Sequence, residues 1–265
     1  MSAELFVADS GEAELPVMLC LHSLFIDHTM FDELAAAAAG RFRVVRPDFR
    51  GQGRNPDVTG IVTMDQCADD IVELVDRMHL GTVHIVAQSM GGDVAVRVAA
   101  RRPEQVERMV LLGSSAREEP AEHLEAFRPI ADEVARKGFV DDLLDTTTHI
   151  MFGETCRNDP ARAHVVDHWR AHFAGLSKGL AAPIRGVVER PSAVDLLPSI
   201  RARTLVVSGG EDAARPPAWS AELVAGVPDA ELWSLPTTGH SVILESPDVV
   251  IPRVMAFLEG DNERR

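Results

Sequence analysis

Tyrosine is absent from this sequence, and cysteine and aromatic residues are scarce. The 265 residues include no tyrosine, three cysteines and 5% aromatic residues. The lack of tyrosine excludes any mechanism that needs a phenolic hydroxyl as an acid or as an oxyanion donor. Cys20, Cys67 and Cys156 show no C-x-x-C spacing and cannot all pair, so we expect reduced thiols in a cytoplasmic protein.

Long apolar runs and a surplus of basic residues are missing too. No run approaches the roughly 18 consecutive apolar residues of a membrane helix, and Met1–Glu4 lacks the basic and apolar parts of a signal peptide. The 26 lysines and arginines face 41 aspartates and glutamates, which gives a net charge of −15. Because such a chain repels phosphate backbones and anionic lipids, we expect neither nucleic acid nor a membrane as a partner.

Short apolar runs rich in β-branched residues alternate with amphipathic stretches. A continuously apolar run such as Pro16–Leu21 is typical of a parallel strand buried on both faces. The alternation predicts an α/β protein with a doubly wound, mostly parallel sheet. The predicted strands are Glu4–Ala8, Pro16–Leu21, Phe42–Pro47, Val83–Gln88, Val106–Leu112, Thr204–Ser208 and Glu231–Leu235, and the helices among them are Met30–Ala39, Met64–His79, Gly91–Arg101, Ala218–Ala225 and Val249–Leu258.

Residues 116–193 break this alternation, because helical patterns follow one another there with little strand signal. We interpret this stretch as a helical cap inserted into a core domain of residues 1–115 and 194–265. The helices predicted within it are Glu119–Arg136, Val140–Met151, Pro160–Phe173 and Leu176–Val188.

The segment Val86–Gly92 joins a predicted strand directly to a predicted helix. In that context a sequence close to G-x-S-x-G is typical of a nucleophile elbow, a tight turn that exposes a serine hydroxyl above the sheet edge. The turn needs small residues two positions before and after the serine, and Ala87 and Gly91 meet that need. We predict Ser89 as the nucleophile, whereas the plain alternative is a serine in an ordinary strand–helix turn.

A serine hydroxyl is a weak nucleophile at neutral pH and needs a base. His240 lies in a loop after a predicted strand, and Asp212 ends a turn after another. The chain order Ser89, Asp212, His240 is a known order for a catalytic triad. We expect His240 to take the proton of Ser89, and Asp212 to orient the imidazole and stabilise its charged form.

Two other acids compete with Asp212 for this role. Glu211 precedes it directly, but Asp212 fits a G-x-x-D-x-x-x-P spacing that ends at Pro216. An acid after the previous strand, such as Glu118, is the second alternative. We prefer Asp212.

Acyl transfer also needs N–H donors for the oxyanion that develops on the substrate. The backbone N–H of Met90, directly after the nucleophile, is one candidate. The second is the N–H of Leu24, in the loop after Pro16–Leu21. We expect His22 to brace this loop, and the hydroxyl of Ser23 either to reach the substrate or to fill the turn.

Five motifs of this chain resemble those of the α/β-hydrolase superfamily. Within it the chain looks most like the 3-oxoadipate enol-lactonases and serine esterase members, and the N-S-L loop typical of the enol-lactonases is similar to Ser23-Leu24. His22 in place of the usual asparagine, and Asp48-Phe49-Arg50 in place of a more polar turn, are departures. The five motifs are His22–Leu24, Asp48–Gly53, Gln88–Gly92, Gly209–Asp212 and Gly239–His240.

The resemblance implies an α/β-hydrolase fold and a cofactor-free serine hydrolase that cleaves a carboxylic ester or lactone of a small molecule through an acyl-enzyme on Ser89. A serine rather than an aspartate at this position argues against epoxide and haloalkane hydrolysis. One alternative is a C–C bond hydrolase or a cofactor-free polyketide-modifying enzyme with the same triad. A second is a ligand receptor on the same fold that has lost catalysis. A homo-oligomer remains an open expectation.

Two weaker signals lie on the predicted cap helix Pro160–Phe173. Trp169 either lines the pocket and contacts substrate or packs against the core domain. His164, His168 and His172 share one helix face, but no carboxylate or thiolate partner stands out, so we expect no metal site.

Overall fold

A computed structural model describes residues 4–260. The first three residues and the last five lie outside the described part. Most of the segment Met1–Glu4, considered above for a signal peptide, therefore lies outside it. Within it the chain forms one seven-stranded sheet in the order β1-β3-β2-β4-β5-β6-β7, in which β1 alone is antiparallel to its neighbour. The strands are β1 (Val7–Asp9), β2 (Val17–Leu21), β3 (Arg43–Pro47), β4 (Val83–Gln88), β5 (Val106–Leu112), β6 (Arg203–Gly209) and β7 (Ala230–Leu235).

Helices connect the strands, so the doubly wound, mostly parallel sheet predicted from the sequence is confirmed. The α-helices are α1 (Asp32–Ala38), α2 (Met64–Arg77), α3 (Met90–Arg101), α4 (Ala121–Lys137), α5 (Asp141–Met151), α6 (Glu154–Asn158), α7 (Ala163–Ala174), α8 (Ala181–Val188), α9 (Pro217–Gly226), α10 (Val242–Glu245) and α11 (Pro247–Leu258), with short 3-10 helices at His28–Phe31, Lys178–Leu180 and Val194–Ser199.

Some predicted boundaries are wrong by a few residues. The first strand was expected at Glu4–Ala8 but occupies Val7–Asp9, because only these residues pair with β3. The helix expected at Pro160–Phe173 begins at Ala163, and the shorter α6 precedes it. The helix expected at Leu176–Val188 is divided, since Ser177 caps a 3-10 turn with its hydroxyl before α8 begins.

The long connection between β5 and β6 consists of helices. Helices α4 to α8 lie between Leu112 and Arg203, and no strand interrupts residues 113–202, all of which the structure describes. Within this set α4 packs on α8 and α5 packs on α7. The connection leaves the sheet at the carboxyl end of β5, the same edge at which Ser89 follows β4.

Two hydrophobic clusters fill the two faces of the sheet. Alternate residues of one strand enter different clusters, as a period of two requires: Ile85 belongs to one cluster and Val86 to the other. Cys20 packs in the second cluster, where burial raises its pKa to about 12, and all three cysteines are free and buried. Among residues 4–260 we find no helix with the length and apolarity needed to cross a membrane.

Candidate active site

Ser89 occupies a strained turn between β4 and α3. Its φ of 53° and ψ of −114° fall outside the usual regions for a residue with a side chain. Its N–H donates to the carbonyl of Leu112 at 3.0 Å, which ties the turn to the end of β5. A Cβ at Gly91 would lie 2.1 Å from the carbonyl oxygen of Leu21, so only glycine lets α3 begin this close to β2. This close approach explains the small residue that the elbow needs at that position.

The side chains of Ser89, His240 and Asp212 form a continuous hydrogen-bonded chain. His240 Nε2 lies 2.7 Å from Ser89 Oγ, and His240 Nδ1 lies 2.9 Å from Asp212 Oδ2. All three residues are at least 95% buried. With Nδ1–H donated to Asp212, Nε2 is left as the acceptor that faces the serine hydroxyl. The three residues singled out from the sequence therefore meet at one point.

The turn after β6 holds Asp212 in place. Its Oδ1 accepts the N–H groups of Ala214 at 2.9 Å and Arg215 at 2.7 Å, so the carboxylate is oriented before it contacts the imidazole. The rival Glu211 instead accepts the N–H of Thr155 at 2.8 Å. Glu118, the other rival, is exposed to solvent. Of the three candidate acids, only Asp212 bonds to His240.

Three chain segments meet at Gly113, directly after β5. The side-chain amide of Gln88 donates to the carbonyl of His240 at 2.6 Å, which fixes the backbone of the histidine. A Cβ at Gly113 would lie 2.8 Å from both partners of this bond and 3.1 Å from Asp212 Oδ2. Gly113 also has a φ of +48°, a conformation that favours glycine. The residue after β5 must be glycine for the triad to close.

The loop after β2 lies beside Ser89. His22 Nε2 accepts the N–H of Phe49 at 2.9 Å, so its Nδ1–H donates to the carbonyl of Ser23 at 2.7 Å. Burial lowers the pKa of His22, which keeps this imidazole neutral. His22 therefore braces the loop, and Leu24 lines the same cavity as Ser89.

The two predicted oxyanion donors belong to this loop and to the elbow. Met90 is the first residue of α3, where a backbone N–H has no acceptor inside its own helix. The hydroxyl of Ser23 is buried and has no hydrogen-bond partner among the described residues, and Ser23 lines the cavity as well.

A cavity of about 100 Å³ lies in front of Ser89, between the sheet edge and the inserted helices. Its wall is mainly apolar, and α4, α5 and α8 supply most of the apolar residues. The polar part of the lining consists of Ser23, Ser89, His240 and two charged residues, Glu119 and Arg215. The apolar lining is formed by Leu24, Phe25, Phe127, Ile130, Ile150, Met151, Ile184, Val187, Val188, Ala213 and Ala214.

Glu119 and Arg215 belong to a buried ionic network. Glu119 Oε1 accepts from Arg215 at 2.8 Å and from Arg190 at 2.7 Å, and the nearby Asp93 lies 3.2 Å from Arg190 Nε. Burial alone raises the pKa of Glu119, but the two guanidinium groups outweigh burial and leave that pKa below its usual value. The charges of the two arginines are balanced by two carboxylates.

The sequence did not point to this network or to the cap residues of the cavity. Their spacing along the chain carries no motif, and only the tertiary packing of the inserted helices against the rest of the chain brings them together. Trp169 is absent from the cavity lining: it is buried in the second hydrophobic cluster and contacts His168 and His172 edge to face. Of its two expected positions, packing against the core is the one adopted.

Among the described residues, Asp27, His28 and Asp48 form a group of side chains of the types that bind metals. Asp48 accepts both the backbone N–H and the Nδ1–H of His28, at 2.8 and 2.9 Å, and the N–H of Arg54 at 2.9 Å. Both carboxylate oxygens of Asp48 are therefore engaged in holding the loop after β3.

Comparisons with known proteins show which fold family the chain belongs to. A family model described as alpha/beta hydrolase fold matches residues 16–247. An esterase from Thermogutta terrifontis has a TM-score of 0.85 and 30% identity, covering 97% of this chain and 93% of its own. An enol-lactonase from Burkholderia xenovorans LB400 has a TM-score of 0.87 and 28% identity, covering 96% of each chain. A protein from Agrobacterium fabrum named as a carbamate hydrolase, RutD, is 28% identical over 93% of this chain and 94% of its own.

The ionic network leads to a prediction for Glu119→Gln. Because the two arginines hold the folded-state pKa of Glu119 below its ordinary value, the ionised carboxylate stabilises the fold above that ordinary pKa, and this contribution is lost as pH falls through the folded-state pKa. At neutral pH the variant removes one of the two negative charges that balance two buried arginines. We therefore expect the free energy of unfolding to fall by about 3–5 kcal/mol. Urea unfolding at a series of pH values measures this.

The exposed neighbour Glu118 provides the matched control, and Glu118→Gln should unfold like the wild type. The difference in free energy of unfolding between the wild type and Glu119→Gln should become smaller below about pH 4, where carboxyl groups become protonated. An equal difference at every pH would contradict the assigned ionic role.

Proposed function

The chain belongs to the α/β-hydrolase fold family, and from that premise we propose that it is a serine hydrolase that cleaves a carboxylic ester or lactone through an acyl-enzyme on Ser89. One observation carries the proposal: Ser89, His240 and Asp212 are joined by hydrogen bonds of 2.7 and 2.9 Å, and Ser89 and His240 line one cavity. A nucleophile next to a base, with the base oriented by an acid, is the arrangement that activates a hydroxyl.

In the proposed mechanism His240 Nε2 takes the proton of Ser89 Oγ while the oxygen attacks the acyl carbon. Asp212 stabilises the imidazolium that forms. The N–H groups of Met90 and Leu24 donate to the developing oxyanion. His240 then passes the proton to the leaving alkoxide, and the acyl group stays on Ser89. Water then attacks the acyl carbon while His240 takes its proton, and His240 returns that proton to Ser89 Oγ as the bond from Ser89 to the acyl group breaks and the acid leaves.

The cavity favours a short, uncharged acyl group. Its volume of about 100 Å³ and its aliphatic wall leave little room for a long chain. Arg215 is the one lysine or arginine that lines the cavity in the described part of the chain, and its guanidinium bonds to Glu119 at 2.8 Å. A substrate carboxylate would compete with Glu119 for this cation. We therefore propose a small apolar ester or lactone rather than an acidic enol-lactone.

The related proteins support hydrolysis at an acyl carbon without agreeing on a substrate. Two of the related solved structures are those of an esterase and an enol-lactonase, and a third relative is named as a carbamate hydrolase. Ester, lactone and carbamate all present a carbonyl that a serine can attack. The aliphatic cavity described above is what directs the proposal toward short esters and lactones.

Removing the nucleophile tests the chemistry. We expect Ser89→Ala to lower kcat for a p-nitrophenyl ester by at least about 10³-fold, since no other activated hydroxyl replaces it. Asp212→Asn, which keeps the shape but misorients the imidazole, should lower kcat by about 10³- to 10⁴-fold. Unchanged melting temperatures serve as the control for folding. A loss below roughly tenfold in either variant means that the roles are misassigned.

Cavity size makes a second prediction. The specificity constant kcat/KM should be highest for acetate to butyrate esters and should fall for longer acyl chains. Val187→Ala removes two methyl groups from the cavity wall and should move the optimum to a longer chain. Val249, which is 53% exposed, provides the control Val249→Ala, and that variant should keep the wild-type order of substrates. An optimum at long chains in the wild type would rule out the assigned acyl pocket.

A further inference from the structure

Glu245 is a buried acid that lies outside the triad. It ends α10 five residues after His240, and only 4% of its surface is exposed. Its carboxylate accepts three backbone N–H groups: from Gly239 at 2.9 Å, from Ser241 at 3.0 Å and from Gly153 at 3.0 Å. Two of these donors are the neighbours of His240 on either side. One carboxylate therefore holds the backbone before and after the histidine.

The third donor belongs to the inserted helices. Gly153 lies between α5 and α6, in the segment Met151–Thr155, and the carbonyl of Met151 in turn accepts the N–H of Ser241 at 3.0 Å. Met151 lines the catalytic cavity together with His240. The segment that forms part of the cavity wall is thus bonded directly to the loop that carries the histidine.

The backbone of the segment Met151–Thr155 and that of the histidine loop are in contact at two glycines, Gly153 and Gly239. A Cβ at Gly239 would lie 2.1 Å from the nitrogen of Gly153, and a Cβ at Gly153 would lie 2.8 Å from the nitrogen of Gly239. Glu211, the neighbour of Asp212, accepts the N–H of Thr155 at the far end of the same segment. Two acids adjacent to triad loops therefore fasten Met151–Thr155 in place.

Resting on the proposed function, we propose that Glu245 is a positioning residue, which aligns His240 with Ser89 only while the segment Met151–Thr155 is docked on the histidine loop. Burial raises the pKa of Glu245, and the three N–H donors and the nearby His240 oppose that effect. Because Glu245 contacts both the histidine loop and Gly153, we expect the segment Met151–Thr155 to dock and the triad to assemble in one step.

The test compares Glu245→Gln with the wild type on p-nitrophenyl acetate and with a fluorophosphonate probe. An amide has one acceptor oxygen and turns its NH₂ group toward backbone donors, so at least one of the three bonds is lost. We expect kcat to fall by about 10- to 100-fold, the effect of a small misalignment of reacting groups. KM should change by less than about threefold, because the substrate cavity keeps its wall.

Labelling with the probe separates positioning from mere folding. If Glu245 positions His240, every molecule of the variant becomes labelled at Ser89, but slowly. If the residue only supports folding, a smaller fraction becomes labelled at the wild-type rate, and that result overturns the proposal. Asp248→Asn is the matched control, because Asp248 is exposed and its carboxylate pairs with Arg162. It should retain wild-type kcat.

A second variant covers the case in which Glu245→Gln does not fold. Glu245→Asp keeps the charge and both acceptor oxygens but shortens the side chain, and its kcat should lie between those of the wild type and the Gln variant. Full kcat in either folded variant contradicts the proposal. If Ser89→Ala is inactive while the folded Glu245 variants keep the full wild-type kcat, only the positioning role fails. If Ser89→Ala is active, the proposed function fails first.

Discussion

The hydrogen bond between His240 Nε2 and Ser89 Oγ is the contact on which the rest of the site depends. It joins residues 151 positions apart in the sequence, at 2.7 Å and out of solvent. Neither side chain reaches the other through local structure. The bond exists because β4, β6 and β7 are parallel strands of one sheet and their carboxyl ends meet at one edge. The parallel sheet thus brings residues that are distant in sequence into contact.

Close backbone contacts fix the relative positions of the three triad residues. Gly91, Gly113 and Gly239 each lie where a Cβ would collide with the backbone or a side chain of a neighbouring segment at the site. Protein interiors are packed densely, so such contacts transmit a displacement rather than absorb it. Carboxylates then lock the loops: Asp212 is held by the turn that follows it, and Glu245 holds the backbone around His240. Shape and hydrogen bonding act on the same few atoms.

Local patterns and long-range packing differ in how far the sequence predicts them. The elbow at Ser89 and the strand–turn–acid pattern at Asp212 are encoded in adjacent residues, and the parallel sheet follows from apolar runs. Trp169 was ambiguous because a helical aromatic is buried in either of its two possible environments. The link between Glu119 and Arg190, and the bonds from Glu245 to Gly153, depend on how the inserted helices dock. One signal was visible for Glu245: it is the only charged residue in the otherwise apolar run Val242–Glu245.

A trapped intermediate is the most direct test of the claim that the hydroxyl at position 89 becomes acylated during turnover. The protein would be mixed with p-nitrophenyl acetate, quenched in acid within the first turnovers, digested and analysed by mass spectrometry. An acetyl group on the peptide that contains Ser89, formed at the rate of the initial burst of p-nitrophenol, is the predicted result. Rapid turnover with no acetylated peptide, or with the acetyl group on another residue, would contradict it.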